Sequence, residues 1–283
     1  MIDETVEEIE EMQTHSSSVV AVKATRALGE LLDREFATVE EFHRDLERNS
    51  STLRRANPSH ASLQNALREV EESALEADDA SVDAAKERLG DVIERVVDDV
   101  ESGKRQAAAN AASMLQDGTT LLTHAYSSTF LEALELAVQE GKYFEVYVTE
   151  ARPRYLGRKT VRTLAAMDRV DPTLVTDAAS GHVIEKVDRV VTGMTCIADG
   201  KLYNRVGTLP VAATAAQVGV PMTAVGSGAK IIEEGFVFEN EFRSGSEVMR
   251  EPPEGFDIEN PSYDATPVDL LDVVVTDTGR REL

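Results

Sequence analysis

A change of pattern at Asp117-Gly118 constrains this chain more than any other feature. Before it, residues 1 to about 116 contain a single proline, Pro58, and carry apolar residues at helical spacing throughout. After it, short β-branched runs at 119–123, 144–148, 173–176, 189–192, 222–225 and 273–276 alternate with helical stretches at 128–140, 157–167, 180–187 and 209–218. Strands separated by helices imply βαβ units, hence a mostly parallel sheet with helices on both faces. The expected class is α/β, with an all-helical N-terminal domain ahead of the sheet domain.

Local signals place the helices of the first half. Val19, Val20, Val22, Ala27, Leu28, Leu31 and Leu32 form one apolar stripe behind three N-cap candidates, Ser16, Ser17 and Ser18. Thr38 and Glu41 have capping-box spacing ahead of Phe42 and Leu46. Leu63, Ala66, Leu67 and Val70 mark a third helix. Val82, Ala85, Leu89, Val92, Ile93, Val96 and Val97 mark a fourth, extending into the alanines of 107–112.

Charge removes whole classes of function. Fifty-two Asp and Glu against 29 Lys and Arg give a net charge of −23, which excludes direct nucleic-acid binding through a basic surface. Self-repulsion of this size is tolerable in molar salt, where the Debye length is about 3 Å, so a salt-loving source is expected. The one cysteine, Cys196, excludes a disulfide framework and suits a reducing cytoplasm. The histidines at 15, 43, 60, 124 and 182 lack metal spacing, and neither a metal nor a cofactor is expected. Residues 206–229 carry no charge, but Pro210, Pro221 and four glycines break them into a buried helix and a buried strand. No membrane span is expected.

In open parallel sheets, ligands sit at the carboxyl ends of strands where the strand order reverses. The stretch LLTHAYSST (121–129) puts Ser127 and Ser128 between a strand and a helix, a place for a phosphate or simply for a cap. Arg152, Arg154, Arg158 and Lys159 cluster after the next strand in an otherwise acidic chain, as anion ligands or as partners of carboxylates. Asn204 and Arg205 follow the Asp199-Gly200 turn. His124 and Asp177 stand at strand ends as the one plausible acid–base pair. Cys196 reads as a small buried residue with no basic neighbour to lower its pKa.

Together, LLTHAYSS, FEVYVTEARPRYLGRKT, LVTDAASGHVIEKVDRVVTGM, DGKLYNRVGTLPVA and DVVVTDTG resemble the family of the alpha, beta and delta regulatory subunits of translation initiation factor 2B. That family also holds ribose-1,5-bisphosphate and methylthioribose-1-phosphate isomerases. LTHAYS and FEVYVTE look most like the alpha subunit. The resemblance implies a helical domain over 1–117 and a Rossmann-like domain over 118–283, with self-association through the latter. Its isomerases use a cysteine in a Thr-His-Cys motif and an aspartate in a Gly-Ala-Asp motif. Ala125 and Thr195 stand at those positions here, and neither can move a proton. Ser16-Ser17-Ser18 replaces an Arg-Gly-Ala turn and Asn57 replaces an arginine before Pro58-Ser59, while Arg152-Pro153 and Asn204 persist and Arg205 replaces a lysine.

The resemblance therefore implies a non-catalytic, cytoplasmic regulatory or binding protein. Its partners are a second copy or a paralogue and initiation factor 2. Any small ligand is a nucleotide or sugar phosphate held by Ser127, Ser128, Arg152, Asp177, Asn204 and Arg205. The alternatives are an aldose–ketose isomerase and a sensor of nucleotides or sugar phosphates.

Overall fold

Helical periodicity in the first half becomes helix in the computed structural model, which describes residues 2–11, 17–58, 60–76, 79–232, 238–251 and 254–282. These are α1 (Ile2–Glu10), α2 (Ser17–Ala27), α3 (Val39–Ala56), α4 (Ala61–Leu75) and α5 (Val82–Met114). The stripe of α2 continues through a tighter 3-10 turn, Leu28–Asp33. The capping box at α3 forms as spaced: Thr38 Oγ1 accepts from the Glu41 amide at 3.2 Å, and Glu41 Oε2 accepts from the Ala37 amide at 2.8 Å. Residues four apart, Phe42 with Leu46 and Leu63 with Leu67, are fully buried in the core of this half. Ser16 and Ser59 lie outside the described residues. Asn57 is buried at the C-cap of α3, where its carbonyl accepts from Gln64 Nε2.

The chain forms two compact units, Met1–Gly103 and Lys104–Leu283, which divide inside α5. Ala108, Ala111 and Ala112, in the last turns of α5, pack into the core of the second unit. The second unit runs β1 (Thr119–His124), α6 (Ser128–Gln139), β2 (Phe144–Thr149), α7 (Leu156–Leu164), β3 (Val170–Val175), α8 (Ser180–Val183), β4 (Arg189–Gly193), β5 (Cys196–Ala198), β6 (Lys201–Arg205), α9 (Thr208–Val218), β7 (Met222–Val225), β8 (Ile231–Ile232), β9 (Tyr263–Pro267), β10 (Val273–Thr276) and β11 (Gly279–Glu282).

Seven strands form one sheet in the order β11-β10-β7-β4-β1-β2-β3, parallel except for β11. This mixed, largely parallel sheet is the α/β architecture expected. Alternate strand residues feed two cores. Leu121 and Val191 pack with α6 on one face, and Leu122 and Val190 pack with α9 on the other. Pro172 sits within β3 without cost to a ladder on its far side, because β3 is an edge strand. The charge-free stretch supplies α9 and the fully buried β7, and no described helix is long and apolar enough to cross a membrane.

A second sheet, β8-β5-β6-β9, was absent from the sequence expectation. Its β5–β6 hairpin turns at Asp199-Gly200, both at positive φ, and its strands are two to five residues long. Runs so short carry too few alternations to stand out from loop.

Candidate ligand-binding site

The sheet order reverses between β1 and β4, so the crevice at their carboxyl ends is the place for chemistry. β1 ends in His124, which is 2 % exposed. Its Nε2 lies 2.8 Å from the Val206 carbonyl, which can only accept, so Nε2 carries the proton. Nδ1 then accepts from the Thr149 hydroxyl at 2.6 Å. Burial holds the imidazole below the ordinary histidine value, against the pull of the Val206 carbonyl, Asp177 and Asp264. Gly207, at φ 105°, lies against the ring, where an added Cβ would stand 2.5 Å from Cε1. Both ring nitrogens are engaged, and the neutral imidazole acts as a tie between β1, β2 and β6.

Ala125 follows at φ 62° and is buried, its carbonyl accepting from Thr160 Oγ1 at 2.7 Å. Ser127 caps α6 through a 3.2 Å bond from the Phe130 amide, and its hydroxyl packs against Gly193, where a side chain has no room. Ser128, half-buried, opens that helix. Thr195 is buried just past β4, its amide donating to the Tyr203 carbonyl.

After β2 the chain turns closely into α7: a side chain at Gly157 would collide with the Thr149 carbonyl. Asp177 shapes this turn. Its two carboxylate oxygens accept from the Ala151 and Arg152 amides, each at 2.8 Å. The carboxylate lies 4.0 Å from His124 Nδ1. The basic cluster divides. Arg158 pairs with Glu150 at 2.8 Å and stacks on Tyr155, and Lys159 lies over Tyr126. Arg152, Arg154 and Arg205 instead line one pocket, where Arg152 Nη2 donates to the Val248 carbonyl at 3.3 Å. Asn204 turns inward, its Nδ2 donating to Thr208 Oγ1 at 3.2 Å. Of the sequence-derived ligand set, Arg152 and Arg205 share this pocket, Asp177 braces the Arg152 backbone, and Ser127, Ser128 and Asn204 are not among its walls.

One ionisable residue escaped the sequence reading. Lys230 is 6 % exposed and donates Nζ to the Met194 carbonyl at 3.0 Å, beside the end of β4. Burial lowers its ammonium to about 8. It is also the basic neighbour that Cys196 was expected to lack. Burial outweighs its attraction, and the thiol is pushed up to about 12. A lone lysine 34 residues after Cys196 carries no local signal of this proximity.

The sequence of this chain matches the Initiation factor 2 subunit family over residues 13–282. The chain belongs to that family. Ribose 1,5-bisphosphate isomerase of Haloferax volcanii is 29% identical over 285 residues, 98% of this chain and 87% of that protein. The enzyme of the same name from Methanocaldococcus jannaschii is 32% identical over 290 residues, 99% of this chain and 91% of that protein. Among solved structures, the translation initiation factor eIF-2B of Pyrococcus horikoshii OT3 superposes with a TM-score of 0.85 at 23% identity, covering 99% of this chain and 96% of that one. The tetrameric eIF2B beta2-delta2 complex of C. thermophilum matches at a TM-score of 0.78 and 20% identity, covering 99% and 90%. The similar sequences thus bear the name of a sugar-phosphate isomerase, and solved initiation factor 2B proteins share the fold.

Proposed function

We propose that this chain is a non-catalytic binding subunit of the initiation factor 2B type, nearest the alpha subunit in LTHAYS and FEVYVTE, that holds a nucleotide or sugar phosphate. The carrying observation is the pair Ala125 and Thr195, a buried methyl and a buried hydroxyl at the strand ends flanking the switch point. Neither exchanges protons at neutral pH. The neighbouring acid–base candidates support the same reading, because His124 is bonded through both ring nitrogens and Asp177 is spent on two amides. A steady-state assay with ribose 1,5-bisphosphate in molar potassium chloride is expected to show no turnover. Turnover abolished by Asp177→Ala would overturn the proposal.

The ligand set is Ser127, Ser128, Arg152, Asn204 and Arg205, braced by Asp177, with phosphate oxygens taken by hydroxyls, the start of α6 and guanidinium groups. Losing one charge-assisted contact costs about 1.5–3 kcal/mol, so Arg152→Ala should weaken binding of AMP or a sugar phosphate by about tenfold or more in calorimetry. A salty cytoplasm suits the −23 charge.

The protein partner is a second copy or a paralogue, with initiation factor 2 as the further partner. Exposed Phe242, Val248, Met249 and Phe256, gathered within fifteen residues of the second unit, support an interface there. The residues of 206–229, by contrast, spend most of their apolar surface inside the cores. Light scattering in molar salt is expected to give a dimer, and a clean monomer at micromolar concentration would refute it.

The isomerase reading stands second, favoured by relatives bearing that name and by Lys230, whose value near 8 suits a proton acceptor. Turnover that rises with pH through about 8 and disappears in Lys230→Met would favour it.

A further inference from the structure

Arg152 is held more loosely than its neighbour Arg158 in the β2–α7 turn. Arg158 is paired with Glu150 at 2.8 Å, whereas no carboxylate among the described residues pairs with the Arg152 side chain. Asp177 fixes the Arg152 amide but not its guanidinium. The Nη2 bond to the Val248 carbonyl is long, at 3.3 Å, and leaves the other N–H donors of the fork open. An exposed arginine restrained by one such bond keeps much of its rotamer freedom, which binding an anion would cost it.

Tyr155 supplies a further restraint. The guanidinium carbon of Arg152 stands 5.4 Å from the centre of its ring, within reach of a cation–π contact, and that of Arg158 stands at 3.7 Å. Arg158 is tied through its ion pair to Glu150, whose amide donates to the Val175 carbonyl at 2.9 Å. A chain of contacts therefore runs from the ends of β2 and β3 through Arg158 to the ring, and from the ring to Arg152. Two features set Tyr155 apart from ordinary packing. It stands at φ 56°, a left-handed conformation that bulky residues rarely adopt. It is also absent from the walls of the pocket that Arg152 lines, so the ring acts through the arginine.

We propose that Tyr155 is a positioning residue, whose ring holds the Arg152 guanidinium ready for the phosphate of the ligand. The inference rests on the crevice reading above, in which Arg152 is a ligand, and names the residue that orients it. A ring face attracts the cation without consuming its N–H donors, which stay open to phosphate oxygens. A carboxylate in the same place would restrain the arginine too, but would cancel the charge that the phosphate needs.

The test is calorimetric titration of the full chain with AMP and, separately, with ribose 5-phosphate at constant potassium chloride. Tyr155→Leu keeps an apolar side chain and loses the ring, and should weaken binding by about two- to fivefold, the range of one exposed cation–π contact. Tyr155→Phe keeps the ring and should restore the parent's affinity. In an Arg152→Ala background, Tyr155→Leu should change nothing further, because the ring acts through that arginine. Without ligand, the Arg152 side-chain NMR signals, identified by their loss in Arg152→Ala, should be shifted by the ring current in the parent and in Tyr155→Phe. That shift should vanish in Tyr155→Leu. The inference is overturned if Tyr155→Leu binds as tightly as the parent, or if Tyr155→Phe loses as much as Tyr155→Leu. It is equally overturned if the loss persists in the Arg152→Ala background, or if the Arg152 signals do not move in Tyr155→Leu. Each of these results leaves Arg152 standing as a ligand. A parent that binds neither compound, or an Arg152→Ala chain that binds as the parent does, removes the crevice reading and this inference with it.

Discussion

Burying Lys230 should make the protein more stable as the solution becomes mildly alkaline. Its ammonium falls from 10.5 to about 8, chiefly by burial, with Cys196 opposing and Lys104 adding repulsion. At about 1.4 kcal/mol per pH unit, the charged form costs the folded state about 3 kcal/mol. The folded value lies below the unfolded one, so between about pH 8 and 10.5 the unfolded chain binds more protons. Stability therefore rises with pH through that window. Cys196 acts in the other direction: its thiol is raised from 9.0 to about 12, so stability is lost as pH climbs above 9. Between pH 7 and 9 the lysine dominates, and the net gain is about 1 kcal/mol. Lys230→Met should abolish that rise. It should also be more stable than the parent at pH 7 by about 2 kcal/mol, the burial cost relieved less about 1 kcal/mol for the lost bond to Met194. Urea unfolding at fixed molar potassium chloride, followed by far-UV circular dichroism because the chain has no tryptophan, measures both. The reasoning fails if the parent is equally stable at pH 7 and 9, or if Lys230→Met is the weaker protein at pH 7.

Gly207→Ala, placing a Cβ 2.5 Å from His124 Cε1 at φ 105°, should cost about 2–3 kcal/mol in the same urea experiment; a neutral effect would mean the ring is free to move. His124 titrates below a free histidine, so its contribution is full above pH 6.5 and is lost as pH falls below it. His124→Gln should flatten that acid limb, and imidazole NMR signals should show the ring taking up its proton at lower pH than a free histidine. Asp177→Asn leaves one of the Ala151 and Arg152 amides without its charged acceptor and should cost about 1.5–3 kcal/mol. Hydrogen exchange at those two amides should accelerate, and unchanged protection there would show that the carboxylate does not hold the turn.

Periodicity and capping chemistry are local, and they made the elements legible. The Thr38–Glu41 box, the Phe42–Leu46 spacing and the β-branched runs from 119 to 276 needed no partner to be read, and the alternation of strand with helix implied the parallel sheet. The switch-point residues were legible for the same reason, since they follow strands. What remained hidden depends on pairings between distant segments. The division inside α5 arises because Ala108, Ala111 and Ala112 pack with the sheet domain, although their helical pattern continues unbroken from Val82. The second sheet joins strands too short to announce themselves, and its β6–β9 ladder carries Ser262 to Arg205 across more than fifty residues. The bonds from the Ala151 and Arg152 amides to Asp177 are tertiary pairings of the same kind, and local spacing announces neither these nor the bond from Asn204 to Thr208. Lys230 met Cys196 and Met194 through strand order alone. A residue's type and spacing set what it can bond to; the partner it actually takes, and the burial that tunes its charge, come from chain segments that only the folded sheet brings within reach.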